Sequence, residues 1–185
     1  MNEDKLAPLR RVVTAIDQQG RSFFLEDGEP SATRTVEGRP GYRSTNVWRT
    51  IDSPTPVGAA DSTLDHAGVM PPACGTVLRV IDFPPRPADP EEARRQATAS
   101  LNNLFPDAGH DQSHAKSGMH LTCTVDYAIV LTGAITAVMD EGETVLNAGD
   151  ILIQRATNHA WENRTDKMTR VAFILVDGTS EPVSE

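Results

Sequence analysis

The chain has 185 residues, 38% of them hydrophobic and 23% charged, a composition that fits one folded domain with at most one substantial extension. A net charge of −9 and a pI near 5.0 argue against a nucleic-acid partner, whose phosphates need a basic stripe that this sequence lacks. No apolar run of about 18 residues is present, which excludes a membrane-spanning helix, and MNEDKLAPLRR has no apolar leader core, so a cytoplasmic protein is expected.

In chain order, RRVVTAID (10–17) and RSFFLEDG (21–28) flank Gln18-Gln19-Gly20 and predict a hairpin. TNVWRTID (45–52) and GTVLRVIDF (75–83) predict two further strands. Between them PTPVGAADSTLDHAGVMPPA (54–73) is a long loop of little periodicity, of the kind that is either functional or mobile. PEEARRQATASLNNL (90–104) is the one good helical segment, with Pro90 in its first turn. Its Arg94 and Arg95 follow two glutamates and read as a solvated face. The two cysteines, Cys74 and Cys123, stand far apart and read as structural.

From residue 119 the character changes. MHLTCTVDYAIVL, AITAVMD, TVLNA, DILIQRA, HAWENR and MTRVAFILV follow one another, with breaks at Gly133, Gly142, Gly149 and Asp166. Closely spaced strands with such turns predict an all-β antiparallel sandwich or barrel of jelly-roll type. The chain then divides into an N-terminal β-rich extension with one short helix packing on the barrel (1–115), a barrel core (116–178) and a frayed tail (179–185).

Strand alternation puts His120, Thr122, Thr124 and Asp126 on one face, and Leu121, Cys123, Val125 and Tyr127 on the other. By the same rule His159, Trp161 and Asn163 share a face, and Gln154 shares one with Asp150 and Leu152. Taken singly, each of these residues has an ordinary structural explanation. Gln154 reads either as orienting a substrate carbonyl or as a structural amide at the rim. Trp161, Met119, Tyr127 and Trp48 are candidates for apolar pocket wall.

In combination, residues 119–163 resemble the two motifs of the cupin superfamily. His120 matches the first histidine of the first motif, Asp126 takes the glutamate place, and Gly133 follows with the motif's spacing. Gly149-Asp150 opens the second motif, His159 matches its histidine and Asn163 its asparagine. The pattern departs at Thr122, which replaces the second histidine, and at Gln154 and Ala156, which replace a proline and a glycine. The spacing from Gly149 to His159 is also one residue short.

The resemblance implies a double-stranded β-helix and a mononuclear divalent metal (iron, zinc, manganese or nickel) held by His120, Asp126 and His159. Thr122, Gln154 and Trp161 would line the substrate pocket, and His110 or His114 is a candidate for one further ligand. Three functions remain open. One is a metal-dependent isomerase, lyase or dioxygenase acting on an oxygenated metabolite. The second is a metal-free dehydratase or cyclase with His120 or His159 as general base. The third is a non-catalytic small-ligand module. Patterning and resemblance together imply a homodimer, with the apolar outer face and the N-terminal arm seeking cover.

Overall fold

In the computed structural model of the chain, residues 6–109 and 118–179 are described, and strands make up most of the regular structure. β1 (Arg11–Ile16) and β2 (Ser22–Gly28) form the expected hairpin. The Asp17 carboxylate closes its turn by accepting from the backbone N–H groups of Gln19 and Arg21. β3 (Thr33–Thr35), unforeseen in the sequence, pairs with β4 (Arg43–Thr50), and β4 pairs with β5 (Thr76–Phe83). The helix α1 spans Pro90–Leu104 as expected. Asp89 caps it by accepting from the Glu91 N–H at 3.1 Å, and Pro90 takes a first-turn position that lacks a backbone acceptor anyway.

The remaining strands are β6 (Thr124–Thr132), β7 (Ala134–Met139), β8 (Glu143–Asn147), β9 (Ile151–Arg155), β10 (His159–Glu162) and β11 (Thr169–Asp177). They enter two sheets, a larger one ordered β3-β4-β5-β11-β6-β9 and a smaller one ordered β10-β7-β8. From β6 onward the chain passes back and forth between these sheets, which is the winding of a double-stranded β-helix. Gly133 makes the first passage, at φ 74°. A Cβ there would lie 2.5 Å from the Thr169 hydroxyl and 3.1 Å from the Met168 carbonyl, so only glycine fits.

The expected division near residue 115 does not separate the sheets. β3, β4 and β5 belong to 1–115, yet they complete the larger sheet beside β11 instead of packing on a finished barrel. The reason is visible in β5, which is buried along nearly its whole length and needs a strand on either side. Ile81, Phe83, Val130, Ile135, Val171 and Phe173 form the interior with the helix residues Leu101 and Leu104. Burial of each large apolar side chain contributes on the order of 1.5–3 kcal/mol. The outer face of β6 and β9 stays open: Tyr127, Ile151 and Ile153 are exposed, and Tyr127 stands opposite Ile153.

Candidate functional site

The alternation expected around residue 120 holds. Thr122, Thr124 and Asp126 are buried, while Leu121, Val125 and Tyr127 face out. The run is nevertheless not one strand. His120 forms an isolated antiparallel bridge with His159, the chain bends at Cys123, and β6 begins at Thr124. The segment therefore crosses from the smaller sheet to the larger, as strands do at barrel corners.

The bridge places two imidazoles side by side. Backbone bonds of 2.9 and 3.0 Å run in both directions between His120 and His159, and the ring centroids lie 4.2 Å apart. His120 Nδ1 lies 3.0 Å from the Gly118 carbonyl, and His159 Nδ1 lies 2.9 Å from the Thr157 carbonyl. A carbonyl only accepts, so each neutral ring carries its hydrogen on Nδ1 and its lone pair on Nε2. Burial, and next the electrostatic influence of the neighbouring His120 imidazole, push His159 down to about 3, so this ring stays neutral.

Gln154 lies behind His159, with its amide 2.7 Å from Nδ1, and is not part of the cavity wall. Because Nδ1 donates, the amide meets it through Oε1 rather than Nε2. In that orientation the amide position that has no partner among the described residues falls to Nε2. Gln154 is thus a positioning residue, not a substrate contact. It leaves the sharp turn at Ala156, whose φ of 45° is left-handed. Ala156 occupies the place of the second motif's glycine, and its backbone keeps the glycine conformation without the glycine.

Asp126 stands opposite Gln154 in the β6–β9 register, 6% exposed, and its Oδ1 has no hydrogen-bond partner among the described residues. Burial raises its carboxyl to about 6, against a hydrogen bond from Thr124 and the charge of Arg79. Thr122 and Thr124 share a hydroxyl–hydroxyl bond of 2.8 Å. Asn163, the last motif residue, is structural: its amide donates to the Phe83 and Lys167 carbonyls and holds the β10–β11 loop against β5.

His120, Thr122, Asp126, His159 and Trp161 all line one cavity of about 110 Å³. Of the four apolar walls expected, only Trp161 is there, packed edge-on against Phe173 with centroids 5.2 Å apart. Tyr127 points outward, Met119 packs with Val138 and Ala160, and Trp48 lies outside the lining. Sequence reasoning missed the wall supplied by the first half of the chain, where Arg39, Tyr42, Arg79, Phe83 and α1 contribute. One signal was present, since Arg79 interrupts an otherwise apolar face of Val77, Ile81 and Phe83.

The metal ligand set implied by resemblance is not assembled. Among the described residues no group of three or more His, Cys, Asp or Glu side chains is placed to hold a metal ion. His120 and His159 converge, but Asp126 belongs to the other sheet, beyond the bend at Cys123. All three nevertheless line the same cavity. His110 and His114 lie outside the described residues.

No family model matches the chain. It is 29% identical over 183 residues to the cupin-domain-containing oxidoreductase fogC of Aspergillus ruber, covering 93% of this chain and 75% of that one. The cupin-domain-containing oxidoreductase srdD of Neurospora crassa is 25% identical over 179 residues, 93% of this chain and 76% of that one. Among solved structures, KdgF from Halomonas sp. matches 78% of this chain and 86% of that one at 12% identity, with a TM-score of 0.42, too loose a likeness to bear on the site.

Proposed function

This chain belongs to the cupin superfamily, and from that premise we propose that it is a small-molecule enzyme that moves protons on an oxygenated metabolite held in the cavity. The observation that carries this reading is the bridged pair His120–His159, each ring fixed through Nδ1 with its lone pair on Nε2. In this reading His120 is the general base and takes a proton from the carbon next to a substrate carbonyl. Asp126, which burial raises to about 6, donates to the carbonyl oxygen from its protonated form, a fraction that grows below pH 6. His159, held neutral and oriented by Gln154 and Thr157, accepts a hydrogen bond from a substrate hydroxyl.

Removal of that proton and its return to the neighbouring carbon, with the proton of the original hydroxyl passing back to the Asp126 carboxylate, interchanges a hydroxyl and a carbonyl through an enediol. This is an internal oxidation–reduction that needs no outside acceptor. It is compatible with the word oxidoreductase in the names of two relatives. Each step of this reading uses side chains that line the cavity.

The test is solvent deuterium incorporation into α-hydroxy ketones and aldehydes, followed by mass spectrometry. His120→Gln is expected to lower the exchange rate about 100-fold or more, and equal rates in both proteins would remove the reading. A stoichiometric transition metal in protein purified without added metal, whose removal abolishes turnover, would replace it with a metal-dependent reaction. The exposed pairing of Tyr127 and Ile153 on the outer face supports a homodimer, and a monomeric mass by light scattering would refute that.

A further inference from the structure

The cavity holds more positive charge than its walls neutralise. Arg79 is 2% exposed and lines the cavity from β5. Its Nε donates to Asn46 Oδ1 at 3.0 Å, and its Nη2 donates to the Gly68 carbonyl at 2.8 Å and lies 3.1 Å from His66 Nε2. The guanidinium also sits 4.9 Å from the centre of the Phe105 ring. Every one of these partners is neutral, including His66, which burial and the surrounding arginines push down to about 4.

Among the described residues no carboxylate lies within ion-pair distance of Arg79. Asp107, whose charge Arg79 feels, has its oxygens engaged by the Val69 and Met70 amides at 2.7 and 2.9 Å. Asp126 reaches it only through a longer-range effect.

Arg39 repeats the pattern on the same cavity. It donates to Ser100 Oγ at 2.7 Å, lies 4.2 Å over the Tyr42 ring, and has no carboxylate partner among the described residues. Tyr42 is influenced by both arginines, yet burial keeps its phenol protonated. The third cavity arginine, Arg86, is already paired with Glu162 at 2.9 Å.

A guanidinium removed from water without a counter-charge costs several kcal/mol. The chain has 26 acidic residues and a net charge of −9, so carboxylates are not in short supply. A buried Arg79 and a half-buried Arg39 left without one point to a charge that arrives from outside.

We propose that the cavity takes a small organic acid, an apolar or aromatic body bearing a carboxylate that lies against Arg79 and Arg39. Phe83, Trp161 and Phe173 provide the apolar wall for the body, and about 110 Å³ suits a single ring. Arginine fits this role because its planar fork matches a carboxylate. This deepens the proposed function and rests on it, since it names the substrate class of the same site.

The experiment is calorimetric titration of the full chain with benzoate, phenylacetate and 3-phenylpropionate, each against its amide. At least one carboxylate is expected to bind about 10-fold or more tightly than its amide, the scale of one charge-assisted hydrogen bond. Arg79→Gln is expected to abolish that preference. Arg39→Gln is expected to reduce it several-fold without weakening the amide, and serves if the Arg79 variant does not fold. Carboxylates that bind no better than amides to the wild type overturn the proposal, as does an undiminished preference in Arg39→Gln. His120→Gln should keep the preference. A preference without His120-dependent deuterium exchange upholds the acid site and removes the proton-transfer reading, and exchange without a preference does the reverse.

Discussion

The cavity has two walls of different origin. The wall from residues 118–163 carries titratable groups whose places are set by strand register: His120 is bridged to His159, and Asp126 is paired with Gln154. The wall from residues 39–105 carries cations and rings placed by packing between distant segments, as where Arg79 meets Asn46, His66 and Phe105. Register fixes geometry through backbone hydrogen bonds and tolerates little displacement, whereas packing fixes it through side chains that can be exchanged. The comparison suggests that reacting groups sit on the stiff wall and recognition groups on the adaptable one.

The largest expected effect comes from breaking the register wall at its corner. Gly133→Ala places a Cβ 2.5 Å from Thr169 Oγ1 at a φ of 74°. It should cost about 3 kcal/mol in urea unfolding, and a loss under about 1 kcal/mol would mean that the corner yields.

Titration separates the two walls by sign. Asp126 is raised from 3.8 to about 6 in the folded state, so ionising it there costs stability, and that cost sets in as pH rises through this window. Asp126→Asn should therefore be more stable than the wild type at pH 7 by about 1–3 kcal/mol, with the advantage gone near pH 4. His66, on the other wall, is lowered from 6.5 to about 4. The unfolded chain takes its proton first, so this contribution is present above pH 6.5 and is lost as pH falls toward 4. His66→Gln should flatten that acid-side loss by about 1–3 kcal/mol. Matching pH slopes for the two variants would contradict the opposite signs.

The smallest effect is a gain. Ala156→Gly relieves the left-handed residue at 45° and should stabilise by about 0.5–1 kcal/mol, read as a higher urea midpoint. A loss would mean that the turn needs the methyl group.

Much of the register wall was legible in the sequence because alternation and turn residues are local signals. Thr122, Thr124 and Asp126 are buried as alternation requires, and Asp89-Pro90 opens the helix where it was expected. Alternation also assigned Tyr127 to the outer face, so its candidacy as pocket wall ran against the rule that placed Asp126. The bend at Cys123 was not legible: the run keeps its two-residue period through the crossing, and the period does not reveal which sheet each half joins. That bend puts Asp126 in the larger sheet and the histidines on the smaller one, around the same cavity. On the other wall the charge in GTVLRVIDF was visible, but its partners were not. Asn46, His66 and Phe105 come from a strand, a loop and a helix end, and only the folded chain brings them together.

The rung between His120 and His159 has a mechanical consequence. The backbones that carry the two rings cannot part unless both bonds, 2.9 and 3.0 Å long, break together, and each ring is tied in turn through Nδ1 to a neighbouring carbonyl. The gap between the rings behaves like a caliper locked to the sheet, set before any ligand arrives. The amide protons of His120 and His159 should accordingly exchange with solvent in one shared opening event.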